Sequence, residues 1–367
     1  MAGVIVHEWL EPLGGAENVV DRFAAVYPDA PIYALWNDAP GRFAAGRVHE
    51  TALASTPLRH HKAAAIPAML PIWRHLGKLD ADFILCSSHL FAHHARFSGP
   101  ARDAPKLVFC HTPARYIWEP DLDARGNPAL QKLATPFLRS VDRRRAQEDT
   151  SIAVVSEFVK ERVERCWGIE ARVIHPPVNV EAFTRTDSDF TPDEVRLLDS
   201  LPKDYVLGAS RFVPYKRLDL VISAGVAAGV SVVLAGGGPE RESLEALAAQ
   251  HPGVVTIIDR PRTSVLRELY RRSLAYVFPA VEDFGIMPLE AMAAGAPVIG
   301  NRRGGASETI TDGTTGVLVE DFTGAEMKAA VEKAAGVDRS ALLPRALEFA
   351  EPVFDQNIRS WVSAFAR

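Results

Sequence analysis

The chain has 367 residues, with 41 Lys and Arg against 46 Asp and Glu, and a formal net charge of −5. This charge argues against a protein built mainly around nucleic acid, because such proteins are usually basic. Hydrophobic residues make up 47% of the chain, which argues against disorder, and the length predicts two domains.

The cysteines and the apolar runs indicate the compartment. Cys86, Cys110 and Cys166 form no CxxC pair and no metal-ligand spacing, which fits a reducing compartment without disulfides. The first residues lack the basic and apolar regions of a signal peptide. Without an apolar run of about 18 residues, no transmembrane helix is expected. We therefore expect a cytoplasmic protein with no membrane-spanning helix.

The first half alternates strands with helices. The predicted strands are 3–7, 31–35, 82–86, 106–110 and 152–155, and the predicted helices are 16–26 and 129–149. This alternation is typical of a parallel sheet with covering helices.

The segment 42–79 departs from this alternation. It carries six basic residues and an apolar stretch from Ala63 to Trp73. The basic residues are Arg42, Arg47, Arg59, Lys62, Arg74 and Lys78. Basic groups beside apolar ones fit a surface that contacts a membrane at the inner face of the plasma membrane. The alternative is a helical insertion packed on the domain.

A second alternating pattern follows a Pro-rich stretch at 176–204, which is predicted as a linker. The predicted domains are 1–176 and 177–349, and residues 350–367 are predicted as a helix that crosses back to the first domain. The predicted strands of the second domain begin near Tyr205, Val230, Val254, Ala275 and Pro297, and the predicted helices are 216–228, 239–250, 263–272 and 285–294. The fold class is therefore α/β, with two Rossmann-like doubly wound domains facing across a cleft.

Two glutamates spaced for one site follow a strand of the second domain. Glu282 lies in the loop after Phe278, and Glu290 lies about one and a half turns into the next helix. One carboxylate could accept hydrogen bonds from a sugar and the other from a ribose diol. The residues at the helix start, Phe284, Gly285 and Ile286, offer N–H groups to an anion. The alternative is that both acids are there only because the helix dipole stabilises them. Glu290 argues against this, because it lies past the first turn, where the effect of the dipole has fallen off.

Two cations follow another strand of the same domain. Arg211 and Lys216 stand five residues apart, before a helix. An Arg fork and a Lys point charge at a strand end could clamp a diphosphate. If the two side chains are simply exposed surface cations, they indicate no binding site.

Two further features lie in the first domain. Gly14 and Gly15 close a turn where the backbone could approach a phosphate, or form a plain tight turn. His111 ends a buried-looking strand and could contact a sugar hydroxyl, or be a core histidine. The residues expected to line the acceptor side with it are Ser88, His89, Arg115, Tyr116 and Trp118.

A metal site is not expected. The sequence has no P-loop, no G-x-S-x-G elbow and no H-E-x-x-H motif. Three Asp-x-Asp sequences occur, at Asp80/Asp82, Asp121/Asp123 and Asp187/Asp189, and we interpret them as solvated acids.

The sequence resembles the retaining glycosyltransferases of family 4, which have the GT-B fold. The most specific residues are Glu282 and Glu290 within Phe-Gly-x-x-x-Leu-Glu-Ala-Met-Ala-x-Gly-x-Pro-Val. The resemblance implies that 1–176 binds the acceptor and 177–349 the nucleotide sugar. It implies catalytic roles for His111, Arg211, Lys216 and Glu282, and donor contacts from Gly14, Gly15 and Glu290. It also implies that a donor phosphate oxygen takes the acceptor's proton.

A narrower resemblance links His7-Glu-Trp-Leu and Cys110-His-Thr-Pro-x-Arg-Tyr-x-Trp to O-antigen and exopolysaccharide mannosyltransferases. It implies GDP-mannose as donor, a lipid-linked saccharide as acceptor and no cofactor. Asp259 stands where members often have Gly, and could accept hydrogen bonds from guanine or be an exposed turn acid. The alternatives are a UDP-sugar-dependent transferase, a nucleotide-sugar epimerase and a non-catalytic sugar-nucleotide sensor.

Overall fold

The structure is a computed structural model that describes residues 2–119, 128–148, 151–186 and 189–366. The chain divides into two compact units. Unit 1 comprises Met1–Pro177 with Pro352–Arg367, and unit 2 comprises Val178–Glu351. Each unit contains one parallel β-sheet, which confirms the predicted α/β class with two doubly wound domains.

The strands and helices are numbered along the chain. The strands are β1 Gly3–His7, β2 Ile32–Ala34, β3 Val48–Glu50, β4 Phe83–Ser88, β5 Lys106–Cys110, β6 Ser151–Val154, β7 Arg172–Val173, β8 Tyr205–Arg211, β9 Ser231–Gly237, β10 Val255–Asp259, β11 Ala275–Phe278, β12 Val298–Asn301 and β13 Gly316–Val319. The helices are α1 Gly15–Val26, α2 Lys62–Trp73, α3 Arg115–Trp118, α4 Pro128–Ala146, α5 Glu157–Trp167, α6 Val180–Thr184, α7 Pro192–Ser200, α8 Leu218–Ala228, α9 Arg241–Ala248, α10 Thr263–Arg272, α11 Ile286–Ala293, α12 Ala325–Ala335, α13 Leu342–Leu347 and α14 Glu351–Ser363.

The sheet of unit 1 has the strand order β3-β2-β1-β4-β5-β6-β7. Every residue of β1, β4 and β5 is buried, as expected for central parallel strands with both faces covered. The chain winds outwards from β1 to β3 and then restarts on the other side with β4. The carboxyl ends of β1 and β4 therefore form the topological switch point of unit 1.

The helix α14 packs on unit 1. The guanidinium of Arg22 on α1 donates to both carboxylate oxygens of Asp355, and the Trp361 indole donates to Ser151 Oγ at 3.0 Å. Phe354 stacks on Phe23 with ring centroids 5.9 Å apart. These contacts place the last helix with the first sheet, although it follows unit 2 in the chain.

The sheet of unit 2 has the strand order β10-β9-β8-β11-β12-β13. Its switch point lies between β8 and β11, because the chain winds from β8 to β10 and then restarts with β11. The structure differs from the prediction at 176–204, which was predicted as a linker. From Val178 onwards it belongs to unit 2 and contains α6 and α7, and α7 begins with a Thr191 capping box.

The segment 42–79 packs closely on unit 1. The helix α2 buries Ala65, Ile66, Met69 and Trp73. Four of the basic residues contact groups of unit 1. They are Arg42 with Asp21, Arg59 with Asp38, Lys62 with Glu11, and Arg47 with the carbonyls of Ala24, Tyr27 and Ala30. These contacts fit the alternative of a packed insertion, and membrane contact stays a prediction.

Across the described ranges, no helix combines the length and the hydropathy that spanning a bilayer requires. The three cysteines are buried.

Candidate functional site

The predicted donor residues of unit 2 cluster at its switch point. Arg211 is the last residue of β8, and Glu282 lies in the loop that follows β11. Because these two strands are neighbours and parallel, their carboxyl ends open at one place. The sheet topology therefore brings together residues that are about 70 positions apart in the chain.

Lys216 and Glu282 form an ion pair at this point. Lys216 ends a one-turn helix that starts at Pro214, and Arg217 then takes a left-handed conformation with φ of 52°. The side chains of Lys216 and Glu282 are 11% and 21% exposed, so the pair is largely desolvated but still reachable. The ammonium also lies 5.8 Å from the centre of the Phe278 ring. The Lys216 ammonium is therefore already held in position, and a ligand phosphate could bind to it.

Arg211 is more open than Lys216. Its guanidinium donates to the Tyr215 hydroxyl at 2.9 Å and is otherwise exposed. Tyr215 is itself 45% exposed. The two cations expected to clamp a diphosphate thus stand on the same loop, with one anchored by an acid and one by a phenol.

Glu290 lies on α11, which follows β11, and is only partly exposed. Burial raises its pKa to about 7, although the nearby Lys216 ammonium opposes the rise. Burial also raises the pKa of Tyr276 well above its usual value, with added repulsion from Glu282 and Glu290. Both glutamates of the E-x7-E motif therefore lie close enough to the buried Tyr276 phenol to affect its pKa, and their common role in donor binding stays a prediction.

Two glycines, Gly305 and Gly285, shape the loop that carries Glu282. A Cβ on Gly305 would lie 2.1 Å from the carbonyl oxygen of Asp283, which is too close for any side chain. The Gly305 N–H donates to the Glu282 carbonyl at 2.8 Å. At the other side of the loop, Gly285 has a φ of 101° and precedes α11, while Phe284 is buried. Together they fix the backbone that carries Glu282.

Asp259 lies apart from these residues. It ends β10, the edge strand, which is separated from β8 by β9. Its carboxylate accepts a hydrogen bond from Arg241 at 2.5 Å. A guanine base would have to replace that guanidinium, so the role of Asp259 in base recognition stays a prediction.

The switch point of unit 1 contains a buried carboxylate that the sequence analysis did not select. Glu8 directly follows β1 and is fully buried. Its Oε1 accepts hydrogen bonds from the Ser88 hydroxyl and from the N–H groups of His89, Leu90 and Ala92, at 2.8–3.1 Å. This one oxygen therefore fixes the whole turn that leaves β4.

The second oxygen of Glu8 faces imidazole rings. Its Oε2 lies 3.2 Å from Nδ1 of His89 and 3.7 Å from Nδ1 of His7. Burial alone raises the pKa of Glu8, but the two imidazoles and the backbone donors lower it to about 2. Glu8 is therefore ionised and orients His89, whose side chain is 27% exposed. A sequence signal existed, since Glu8 follows the first strand at the same sheet edge.

His111 lies beside this cluster, at the end of β5. Its Nε2 is 2.8 Å from the Ser87 hydroxyl. Burial lowers the pKa of His111 to about 3, and repulsion from His89 and His7 adds to the effect. His111 is therefore a neutral hydrogen-bonding group at neutral pH and not a cation. Ser88 and His89, also predicted for the acceptor side, join it at the same edge.

The other predicted acceptor residues lie on α3. Arg115 and Tyr116 are partly exposed there. Trp118 is held in place by its own unit. Its indole donates to Asp142 at 2.7 Å, and the guanidiniums of Arg139 and Arg143 lie 5.3 and 5.5 Å from its ring. These contacts favour local packing for Trp118, and stacking on a sugar stays a prediction.

The predicted glycine loop, Gly14 and Gly15, lies next to the carboxylate of Glu17. Gly14 is extended, with φ of 176°, and Gly15 begins α1. A Cβ on Gly14 would lie 1.9 Å from Oε2 of Glu17, and Glu17 itself is buried. Glu17 also accepts a hydrogen bond from the N–H of Glu11 at 3.1 Å. The glycine thus makes room for a carboxylate, and contact of this loop with a diphosphate stays a prediction.

Two clusters in the described ranges have the composition of a metal site. They are His7, Glu8 and His89, and His93, His94 and Asp142. The two Asp142 oxygens lie at 2.7–3.2 Å from both imidazoles and from the indoles of Trp118 and Trp167, which explains its burial without an ion. Of the Asp-x-Asp sequences, Asp121, Asp123 and Asp187 lie outside the described residues. Asp189 pairs with Arg262, and Asp82 accepts the N–H of Ala2.

Sequence comparison links each unit to known proteins. The profile described as Glycosyltransferase Family 4 matches residues 13–182, and the profile described as Glycosyl transferases group 1 matches residues 193–336. The first match falls in unit 1 apart from its last few residues, and the second falls in unit 2.

Curated relatives match part of the chain. A GDP-mannose-dependent alpha-(1-6)-phosphatidylinositol monomannoside mannosyltransferase of Mycolicibacterium smegmatis is 31% identical over 50% of this chain and 53% of its own length. A D-inositol 3-phosphate glycosyltransferase of Mycobacteroides abscessus is 28% identical over 56% of this chain and 50% of its own length. The chain thus matches about half the length of these relatives.

Solved structures share the fold over nearly the whole chain. The Anabaena protein Alr3699/HepE in complex with UDP has a TM-score of 0.72 at 16% identity and covers 99% of this chain and 100% of its own. Sucrose-phosphate synthase from Thermosynechococcus elongatus has a TM-score of 0.71 at 16% identity and covers 99% of each chain.

Proposed function

Because the chain belongs to glycosyltransferase family 4, with the GT-B fold, we propose that it transfers a hexose from a nucleoside diphosphate sugar with retention of the anomeric configuration. The sugar is mannose and the donor GDP-mannose. The acceptor is a lipid-linked saccharide or another glycan used in cell-surface polysaccharide synthesis.

One observation carries the proposal more than any other. Lys216, Glu282 and Glu290 converge at the switch point between β8 and β11, where α/β sheets bind ligands. A sugar attached to a nucleoside diphosphate offers a phosphate charge that the cation can bind. It also offers hydroxyl groups from which the two acids can accept hydrogen bonds. Perturbed ionisable groups in such a position are typical of functional sites.

The reaction follows from where charge develops. The bond between the anomeric carbon and the diphosphate oxygen breaks, and the electron pair leaves with the diphosphate. Lys216 and Arg211 stabilise that added negative charge, and this is the main contribution of the protein. Glu282 orients the sugar hydroxyls and Glu290 binds the ribose diol. The acceptor oxygen forms the new bond to the anomeric carbon, and its proton goes to a donor phosphate oxygen.

Unit 1 supplies the acceptor side in this proposal. His111 is neutral, so it can donate or accept a hydrogen bond without adding charge next to the reacting sugar. Glu8 keeps the turn at 88–92 rigid and fixes the direction of His89. Such preorganisation lowers the cost of positioning an acceptor hydroxyl.

The donor is supported by the mannosyltransferase of Mycolicibacterium smegmatis, whose name gives GDP-mannose as its donor. A UDP-sugar is the second candidate, because a structural neighbour was solved with UDP-glucose. We propose that no metal is needed, since Lys216 and Arg211 carry the charge that a divalent ion would otherwise supply. Lipid-linked acceptors would place the enzyme at the inner face of the plasma membrane.

The test is a turnover assay with GDP-mannose and UDP-glucose, with and without a lipid extract as the source of acceptor. Transfer of mannose from GDP-mannose to a lipid product, with an α-linked proton signal by NMR, supports the proposal. Turnover of UDP-glucose alone indicates the second candidate. Release of free sugar or of an epimer without an acceptor contradicts transfer.

A further inference from the structure

A basic groove in unit 1 lies at the opposite end of its strands from His111. A cavity of about 650 Å³ is lined by four arginines, Arg74, Arg96, Arg102 and Arg145, and by His75. An adjoining cavity of about 220 Å³ extends it to Ile84 and Lys106, at the beginnings of β4 and β5. We call the larger cavity the arginine groove. Because His111 follows the carboxyl end of β5, the groove is separate from the proposed acceptor side.

The positive charge of the arginine groove is only partly balanced. Arg74 and Arg145 share one carboxylate, Glu148, which accepts hydrogen bonds from both at 2.7 and 2.5 Å. In the described part of the chain, the guanidiniums of Arg96 and Arg102 have no hydrogen-bond or ion-pair partner. Four guanidiniums therefore line the two adjoining cavities, and Glu148 is the one acid among the described residues that line them.

The groups in the groove repel one another. Burial lowers the pKa of Arg74, and repulsion from Arg145 and Arg96 lowers it further, although Glu148 opposes both effects. The basic residues earlier in the segment 42–79 contrast with this. Arg42, Arg59 and Lys62 are each paired with an acid, so their charge is already balanced. An anion bound in the groove would relieve the repulsion that remains.

We propose that the arginine groove is a binding site for a phosphate-bearing ligand, distinct from the donor and acceptor sites. Guanidinium forks match the oxygens of a phosphate group, and several forks around one cavity can hold it from more than one side. Arg74 is held in place by Glu148 and by the carbonyl of His94, while Arg96 and Arg102 are available for the ligand. The proposal does not depend on which donor the enzyme uses.

The surroundings favour a phosphate carried by a lipid. A cavity of about 400 Å³ adjoins the groove and shares His75 with it. Its wall beside α2 is apolar, with Pro71, Ile72 and Leu76, and its opposite wall includes Glu50 and Thr51. On α2, which leads to Arg74, the residues Ala63, Ala64, Pro67 and Pro71 are exposed and carry no charge. A headgroup phosphate in the groove and an acyl or prenyl chain beside α2 would use both features.

The experiment compares the full chain with a variant that lacks the two unpartnered guanidiniums, Arg96→Gln/Arg102→Gln. Neither side chain makes a described contact, so the variant should fold normally. The matched control is Arg172→Gln/Arg359→Gln, which removes two exposed arginines of the same unit that do not line the groove. Cosedimentation is measured with vesicles of phosphatidylglycerol and phosphatidylcholine, and with phosphatidylcholine alone. Thermal shifts are measured in parallel with glycerol 3-phosphate and with pyrophosphate.

If the phosphate is carried by a lipid, the wild type and the control bind the anionic vesicles, and the groove variant binds them about 30-fold more weakly. This factor follows from roughly 1 kcal/mol for each of the two basic residues removed. If the phosphate belongs to a soluble compound, none of the three proteins binds the vesicles. A phosphate compound then stabilises the wild type and the control but not the groove variant. Either result supports the site. Equal behaviour of the groove variant and the control, or no response to any phosphate compound or vesicle, overturns it.

Discussion

Replacing Glu290 by Gln should stabilise the protein at alkaline pH and weaken its binding of nucleotide. Burial raises the pKa of Glu290 from 4.5 to about 7, so its ionised form is disfavoured in the folded state. The folded protein gains from the protonated carboxyl fully below pH 4.5, and this gain is lost as pH rises through 7. At about 1.4 kcal/mol per pH unit, the loss is roughly 3 kcal/mol.

Gln cannot ionise, so Glu290→Gln should unfold like the wild type near pH 4.5 and be more stable by up to about 3 kcal/mol at pH 8. Urea unfolding followed by circular dichroism at pH 5, 6, 7 and 8 measures the difference. The control is Glu332→Gln, an exposed glutamate on α12. A difference that does not change with pH would refute the burial argument.

The same variant separates a functional acid from a structural one. If Glu290 binds the ribose diol, Glu290→Gln should lose nucleotide affinity while it gains stability at pH 8. Opposite signs of the two effects are typical of residues kept for function at the expense of stability. Unchanged affinity would remove Glu290 from the donor site.

Three further substitutions test other parts of the account. Lys216→Ala should cost roughly 2–4 kcal/mol of transition-state stabilisation, measured as kcat/KM against an exposed-lysine control, Lys328→Ala; a loss within twofold rejects the leaving-group role. Gly305→Ala should destabilise unit 2 by about 1–3 kcal/mol in thermal unfolding, because its Cβ meets the Asp283 carbonyl; a neutral effect contradicts the fixed loop. Glu8→Gln should destabilise unit 1 at pH 7, by about 3 kcal/mol, because the ionised carboxylate with its lowered pKa is lost. That contribution is present above pH 4.5 and lost as pH falls towards 2, so the two proteins should converge in acid.

The sequence was most informative where one element determined the position of a residue. Buried apolar runs predicted most of the central strands, and Glu282 and Glu290 were predicted as one site because a single loop and helix carry both. The edge strands β3, β7 and β13 were not predicted. For β3 and β7 the reason is that two or three partly exposed residues leave no hydrophobic pattern, whereas β13 is a mostly buried strand of four residues that was overlooked. The proline-rich stretch before β8 was predicted as a linker, although prolines are also tolerated in the first turn of a helix such as α7.

The residues that were missed depend on contacts between distant parts of the chain. Glu8 acquires its place because Ser88 and the turn after it lie beside β1, about 80 residues away in the sequence. Gly305 matters because its backbone presses against Asp283 in another loop. The arginine groove combines the end of α2 with residues near 96–102 and with α4. Neither local spacing nor composition shows such pairings.

The most direct test of the proposed donor site is a thermal-shift comparison of GDP, UDP, ADP and dTDP in the presence of EDTA, with the wild type and Lys216→Ala. A ligand at 100 times its Kd should stabilise the wild type by about 2.7 kcal/mol. We expect GDP to give this shift, the other nucleotides to give less, and Lys216→Ala to abolish it. A shift with UDP alone would contradict GDP-mannose as the donor, and no shift with any nucleotide would contradict the donor site itself.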